Sequence, residues 1–420
     1  MVGEAIAVMS GLVLVYALLA KKLTALNITF PMLSVLAGVA VFHLTPLNVD
    51  ATAVHVIAEL ALVIVLFHDA STVNLAGLRH DPGIAIRLLL IGFPLALVAT
   101  FLLTRGMLPA LGVAGAWLLA GALTPTDAGL GAPTMLNPAV PIRVRRSLNV
   151  ESGLNDGLAT PIVLLALGAL ATEEGVADLS VVDVSVVPVA KALACSLAVA
   201  AGAAWLMDRS RRTHLSGHQG RVVAMLAVPL FLFGLADLVG ANAFIAAFVG
   251  GLVFGAASST LRDESGSGAL VEVGADLLSF VVWFFAGGLV LTIFADGFRW
   301  QWLAIAVAAL TVLRLLPVMI ALFGTGFKWP TVTFLGWFGP RGLATIVFGL
   351  LSAEELGADS PVIADVGGVI GITVLLSVFA HGFSAAPLAR WYGAWVSRSH
   401  APIEQRPSVE PIPSRGRSGY

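Results

Sequence analysis

Apolar residues run through the chain in long stretches separated by short polar or Pro/Gly-containing breaks. Thirteen such stretches fall at about 4–20, 29–46, 52–69, 83–104, 112–131, 149–171, 184–206, 221–239, 241–257, 270–294, 301–323, 331–353 and 362–388. A membrane crossing takes about 20 apolar residues. Inside hydrocarbon every backbone polar group must be satisfied within its own segment, which a helix achieves. The pattern therefore predicts an all-α, polytopic membrane protein with about thirteen transmembrane helices.

Two stretches are interrupted in corresponding places. Span 5 is broken by Thr124-Pro125-Thr126-Asp127 and span 12 by Gly336-Trp337-Phe338-Gly339-Pro340-Arg341-Gly342. Counted from spans 1 and 8, each break falls in the fifth helix of its half. With span 7 as connector, each half holds six spans and the second is inverted relative to the first. Paired interruptions of this kind point to a transporter whose broken helices meet near the bilayer midplane, although a channel also tolerates broken helices.

Basic residues orient the chain. Lys21, Lys22, Arg79, Arg143, Arg145, Arg146, Arg209, Arg211, Arg212, Arg221, Arg262 and Lys328 all follow odd-numbered spans, whereas the opposite loops hold only Arg105 and Arg299. By the positive-inside rule the N-terminus faces out and the C-terminus is cytoplasmic. Acidic residues such as Glu173, Glu174, Asp178, Asp183, Glu354, Glu355 and Asp359 fall in the outer loops. Glu4 precedes the first apolar run and Lys21 and Lys22 follow it, the reverse of a signal peptide, so this run is expected to stay as a span. The membrane domain is expected over 1–396. Residues 397–420, rich in Pro, Ser and Arg, are expected to form a short disordered cytoplasmic tail.

Composition narrows the function. Of 420 residues, 58% are hydrophobic and 11% charged, against about 25% charged in soluble domains. Thirteen spans leave connections too short for an ATPase module, so no nucleotide is expected, and a net charge of −2 argues against nucleic acid. The single Cys195 excludes intrachain disulfides and cysteine-cluster metal sites.

Ionisable residues inside spans are costly and are functional candidates by default: Asp69, Asp127, Glu151, Asp156, Asp237, Arg314, Arg341 and Asp365. Helical spacing puts Ser152, Asn155 and Asp156 on one face with Glu151 at its edge. Together with Thr126 and Asp127 of the broken span they form a set of hard oxygen donors suited to a small monovalent cation and not to zinc or copper, so no resident metal or cofactor is expected. Burial favours the protonated form of a carboxyl group and a bound cation favours the ionised form. Proton and cation then compete for Asp156, and competition within an alternating-access site is sufficient for exchange. With one exchanging carboxylate the simplest stoichiometry is one for one and electrically silent.

Other readings attach to several of these residues. Asp127 can cap the helix that starts after Pro125. Asp69 stands at a cytoplasmic span end, where it can simply be solvated. A buried Arg314 requires an acid nearby, and Glu151 is the candidate. Asp237 and Asp365 read as vestibule or interfacial groups. His214 and His218 have metal-like spacing but read as part of a solvated basic loop. Gly251-x-x-x-Gly255 and Gly367-x-x-x-Gly371 read as close-packing motifs.

Thr124-Pro-Thr-Asp-Ala128, Glu151-Ser-Gly-Leu-Asn-Asp156 and Gly339-Pro-Arg-Gly342, with an arginine in the span before the last, resemble cation:proton antiporter family 1, the bacterial and eukaryotic sodium/proton exchangers. The resemblance covers nearly the whole membrane region. It implies thirteen helices and a homodimer in the bacterial plasma membrane. It also implies a dimerisation part (spans 1–3 and 8–10, about 4–69 and 221–294) and a six-helix core (spans 4–6 and 11–13, about 83–171 and 301–388) in which the two unwound helices cross. Asp156 is similar to the family's exchanging aspartate, Asn155 to its partner, and Thr126, Asp127 and Ser152 to neighbouring ion-site positions, which Asp69 can join. Glu151 and Arg314 resemble a structural ion pair, and Arg341 an arginine supporting the second unwound stretch. The implied activity is secondary active exchange of sodium for protons, in the service of pH homeostasis. Potassium/proton exchange is the alternative, followed by a cation channel or a proton-coupled solute carrier. Ala128 stands where many family members carry proline, and the tail is too short to imply calmodulin-type regulation.

Overall fold

Each of the thirteen apolar runs coincides with a helix or a pair of half-helices in the computed structural model, which describes residues 2–44, 51–73, 83–175, 186–264, 266–295, 297–357, 360–399 and 403–405. In chain order these are α1 (Val2–Ala25), α2 (Phe30–Leu44), α3 (Ala51–Thr72), α4 (Gly83–Met107, with a π-helical turn at Leu88–Gly92), α5a (Gly112–Leu123) and α5b (Ala128–Met135). They continue with α6 (Ile142–Glu173), α7 (Val187–Arg212), α8 (His218–Val239), α9 (Ala243–Ala257) and α10 (Ala269–Ala295). The last are α11a (Trp300–Leu310), α11b (Val312–Leu322), α12a (Trp329–Trp337), α12b (Leu343–Leu356) and α13 (Pro361–Ser399). There is no strand among the described residues. Among the described residues ten segments are long and apolar enough to cross a membrane, while α2 and α9 are shorter apolar helices. Arg79, Asp178, Asp183, Asp359 and the tail at 406–420 lie outside the described residues.

Three boundaries depart from the hydropathy reading. α6 starts seven residues before its apolar run, because Pro141 sets an extended N-terminal junction and Arg143, Arg145 and Arg146 continue the helix beyond the apolar stretch. α13 runs on to Ser399 because Ala385, Ala389, Tyr392 and Val396 keep burying one face at helical spacing. Within the expected tail, Ile403 to Gln405 form a turn, and the buried Glu404 accepts hydrogen bonds from Thr331 Oγ1 (2.9 Å) and Lys328 N (3.1 Å) at the start of α12a. The third departure is a break in α11 at Thr311, which hydropathy does not register because both sides are apolar.

The helices sort into two sets by their packing. α2, α3, α9 and α10 pack on one another, and α7 and α8 join them. α4, α5, α6, α11, α12 and α13 pack around the two breaks, and α3 and α9 meet α6 between the sets. Glycine brings backbones together within the first set: a Cβ on Gly251 or Gly255 would collide with the carbonyl of Phe67 or Ser71 on α3, and one on Gly38 or Gly287 with the carbonyl of Phe284 or Val35. The second glycine motif behaves differently. Gly367 faces open space, and its neighbour Gly368 carries the packing by admitting the Trp302 ring.

Candidate ion-binding site

The break in α5 begins where Pro125 lacks the N–H that would continue the helix. Thr124 closes α5a by bonding back to Ala120 O through Oγ1 (2.7 Å). Residues 124–127 are non-helical, and α5b starts at Ala128 without a proline there. The break in α12 spans Phe338 to Gly342 and contains two glycines and Pro340. The two breaks cross in contact, with Asp127 N donating to Pro340 O at 2.8 Å.

Helix ends meeting in the middle of a fold carry unsatisfied N–H and C=O groups and partial charges, positive at N-termini and negative at C-termini. Two side chains match them. Asp127 accepts from Leu130 N (2.8 Å) at the start of α5b through Oδ1, and from Leu343 N (2.7 Å) at the start of α12b through Oδ2. Arg341, 1% exposed, donates to Leu123 O at the end of α5a, to Gly339 O, and to Ala309 O (3.1 Å) at the end of α11a. An anion thus serves two N-termini and a cation two C-termini and an unwound carbonyl. Gly339 and Gly342 allow this approach, since a Cβ on Gly342 would overlap the Asp127 carboxylate.

α6 supplies the wall facing the break. Asn155 Nδ2 donates to Thr126 Oγ1 (2.8 Å), Thr126 N donates to Asn155 Oδ1 (3.2 Å), and the Thr126 and Ser152 hydroxyls lie 2.8 Å apart. Thr126, Ser152 and Asn155 are therefore bonded to one another in this conformation, and they hold the unwound chain against the helix. Glu151, one turn before Asn155 and 1% exposed, receives both η nitrogens of Arg314, Nη2 at 2.8 Å from Oε2. Asp156 follows on the same helix and is buried, and its main-chain oxygen accepts from Thr160 Oγ1 (2.9 Å). Asp69 is buried on α3, at 3% exposure, and its main-chain oxygen lies 3.3 Å from where a Cβ of Gly153 would stand. The alternative of a solvated span-end carboxylate does not hold for it.

Sequence reasoning missed one polar column. Thr373, Ser377 and His381 recur every fourth residue in the apolar α13, and all are buried. Ser377 Oγ accepts from Arg341 N (2.7 Å). The His381 ring stacks on Trp337 (centroids 5.2 Å apart), with Nε2 2.9 Å from Trp337 O at the end of α12a. The four-residue recurrence of polar side chains in an apolar run is the signal that could have found it.

Several charged groups lie away from the crossing. Asp365 is buried and tied to α11, accepting from Arg299 Nη1 (2.8 Å) and Trp302 Nε1 (2.7 Å), so it is not a vestibule group; Asp237 is exposed. His55 contacts both Glu59 (3.4 Å) and Glu354, joining α3 to the end of α12b. In the loop after α9, Glu264 accepts from Arg221 Nε (2.8 Å) and Nη2 (2.6 Å), with His218 Nδ1 at 2.7 Å. Hydrogen bonding by Arg221, opposed by partial desolvation and reinforced by His218, brings the Glu264 carboxyl down to about 2. His218 is exposed and hydrogen-bonds Glu264 across this loop, and His214 is exposed too.

A family model described as sodium/hydrogen exchanger, transmembrane, matches residues 9–391. The Na(+)/H(+) antiporter of Schizosaccharomyces pombe is 24% identical over 353 residues, 77% of this chain and 75% of that protein. The K(+)/H(+) antiporter NhaP of Alkalimonas amylolytica is 27% identical over 373 residues, 84% of this chain and 60% of that protein. The solved sodium proton antiporter MjNhaP1 from Methanocaldococcus jannaschii shares the fold, with a TM-score of 0.70 at 19% identity over 92% of this chain and 98% of that one.

Proposed function

We infer the activity of this chain from its place in the transmembrane sodium/hydrogen exchanger family, to which it belongs. It is a multi-pass membrane transporter, a cation/proton antiporter, in which Asp156 is the shared seat of a monovalent cation and a proton. The observation that carries the assignment is the burial of Asp156 beside the Thr126–Asn155 pair at the broken helix, next to charges that hold helix ends and each other. Asp127 is engaged by two helix N-termini, Glu151 by Arg314, and Arg341 by main-chain carbonyls. Asp156 is buried on α6, one residue from the Thr126–Asn155 pair that holds the unwound chain against the helix.

Exchange then follows from competition. Protonated Asp156 is neutral and compatible with burial, and so is Asp156 paired with a cation, whereas the empty anion is penalised. Only loaded forms cross between the two aqueous sides, so one cation moves against one proton without net charge. Thr126, Ser152 and Asn155 supply hydroxyl and amide oxygens that can rearrange towards the ion, and Asp69 supplies a second carboxylate from α3. Sodium is the proposed cation. Potassium is the second reading, favoured by the likeness to a K(+)/H(+) antiporter. The chain is proposed to work in the bacterial plasma membrane as a homodimer joined through spans 1–3 and 8–10, N-terminus out and C-terminus cytoplasmic, with spans 4–6 and 11–13 as the ion-carrying core.

The test is cation-driven proton movement in proteoliposomes, followed with an entrapped pH dye as sodium, lithium, potassium or rubidium is added. Wild-type protein responds and Asp156→Asn does not. Full exchange by Asp156→Asn rejects the assignment of the seat. A current driven by voltage and indifferent to the proton gradient favours a channel.

A further inference from the structure

A cavity of about 310 Å³ lies between α5a and α6, at the end of the bundle where α5a starts and α6 stops. That is just within the size of small-molecule sites, about 300–1,000 Å³. Its walls are apolar: Val113, Ala114 and Trp117 of α5a face Ile162, Leu165 and Ala169 of α6. Trp117 is fixed by stacking on Phe101 of α4, with centroids 4.4 Å apart. Val113 and Leu165 are exposed, so the cavity opens through the side of the bundle, where a membrane protein meets hydrocarbon. Deeper in, Gly121 lets α5a close on α6, and a Cβ there would stand 2.7 Å from Val163 Cγ2. Two opposite charges stand at the rim. Glu173, the last residue of α6, lines the cavity, and a Cβ on Gly112 would lie 3.3 Å from its Oε2. Gly112 N donates to Pro109 O, and Arg105 Nη1 of α4 donates to that same oxygen at 3.2 Å. The carboxylate and the guanidinium therefore flank one turn, 109–112, yet among the described residues no ion pair joins them.

We propose that this cavity is the binding site of one ethanolamine phospholipid, with its ammonium on Glu173, its phosphate on Arg105 and an acyl chain in the groove between α5a and α6. A lone carboxylate would attract any cation and a lone guanidinium any anion. An acid and a base side by side, neither neutralising the other, instead select a head group that carries both charges. The ammonium must also donate, because a hydrogen bond between ionised groups is about twice as strong as a neutral one. A choline head has the right charges but no N–H to give Glu173, and a glycerol head has no cation. The chain gains dispersion contacts on both helices. Seated there, it braces α5a, the half-helix that leads to the break at Thr124, against the helix that carries Asp156.

The experiment titrates the full chain, delipidated in detergent, with ethanolamine, choline and glycerol phospholipids of matched acyl chains. Bound lipid is read by native mass spectrometry, beside the melting temperature. The ethanolamine lipid is expected to stay on as a single adduct and to raise the melting temperature more than the other two. Glu173→Gln, at an exposed position, should weaken its retention about tenfold, as expected for the loss of one charged hydrogen bond, and should remove the preference over choline. Arg105→Gln should weaken retention of all three lipids. Ala169→Trp, also at an exposed position, should fill the groove and abolish the adduct with both rim charges intact. Equal retention of the three lipids by wild type overturns the proposal, leaving a groove that takes chains and reads no head group. An ethanolamine adduct that persists in both Glu173→Gln and Ala169→Trp overturns it too, because the lipid is then bound elsewhere.

Discussion

The carboxylate of Asp127 reaches across the crossing of two broken helices to accept the main-chain N–H of Leu343 at 2.7 Å, while its other oxygen caps its own helix at Leu130. One side chain thereby closes the N-termini of α5b and α12b, which are more than two hundred residues apart in sequence. This gives Asp127 a structural duty that a site reading of the sequence alone does not separate from ion binding.

Asp127→Ala leaves two buried N–H groups without acceptors, at about 1–3 kcal/mol each. A large fall in the melting temperature of detergent-solubilised protein is expected. Asp127→Asn keeps one good N-cap oxygen and should fall less. Equal melting temperatures for the two variants and wild type would show that the double cap contributes nothing.

Glu151→Ala is expected to cost about 3–5 kcal/mol because it strands Arg314 as an uncompensated buried charge. Asp156→Ala should cost less, since it strands no buried arginine. Thermal unfolding of the two variants side by side decides this. Glu151→Ala in an Arg314→Met background should recover part of the loss, because neither charge is then left alone.

Arg341→Lys keeps the charge and loses the planar fork. A single ammonium cannot reach Leu123 O, Gly339 O and Ala309 O together. Each lost charged hydrogen bond is worth about 1.5–3 kcal/mol, so this nominally conservative change should destabilise the protein. Retention of wild-type melting behaviour would refute the role of Arg341 as a shared C-terminal cap.

Acid should loosen the loop at Glu264. Its carboxyl lies at about 2 in the folded protein against 4.5 ordinarily, so its contribution is complete above the ordinary value and is lost as pH falls through that window towards 2. The melting-temperature gap between wild type and Glu264→Gln should be widest near neutrality and shrink as the buffer is acidified below pH 4.5. A gap that stays constant with pH would mean the ion pair with Arg221 and His218 does not hold the loop.

Hydropathy alone placed the thirteen runs, because a span must be apolar over most of its length whatever it packs against. The breaks at Pro125 and around Pro340 were equally visible, since proline and clustered glycines prevent a helix from continuing regardless of context. Charge was informative through its cost: Arg314 in an apolar run demanded a nearby acid, and Glu151 is the one it meets. The break at Thr311 and the ends of α6 and α13 were not visible in this way, because they depend on what the helix touches and not on its own polarity.

What the sequence determined by itself was therefore the class of molecule and the identity of its costly residues, both consequences of local solvation energy. The tertiary structure decided how those residues divide the work. That Asp127 and Arg341 serve helix ends, that Thr126, Ser152 and Asn155 bond to one another, that Asp365 binds Arg299 and that Phe248 rests on Gly157 all depend on partners distant in sequence. A side chain's hydrogen-bond partners are fixed only when the chain crosses itself, and no local spacing rule contains that information.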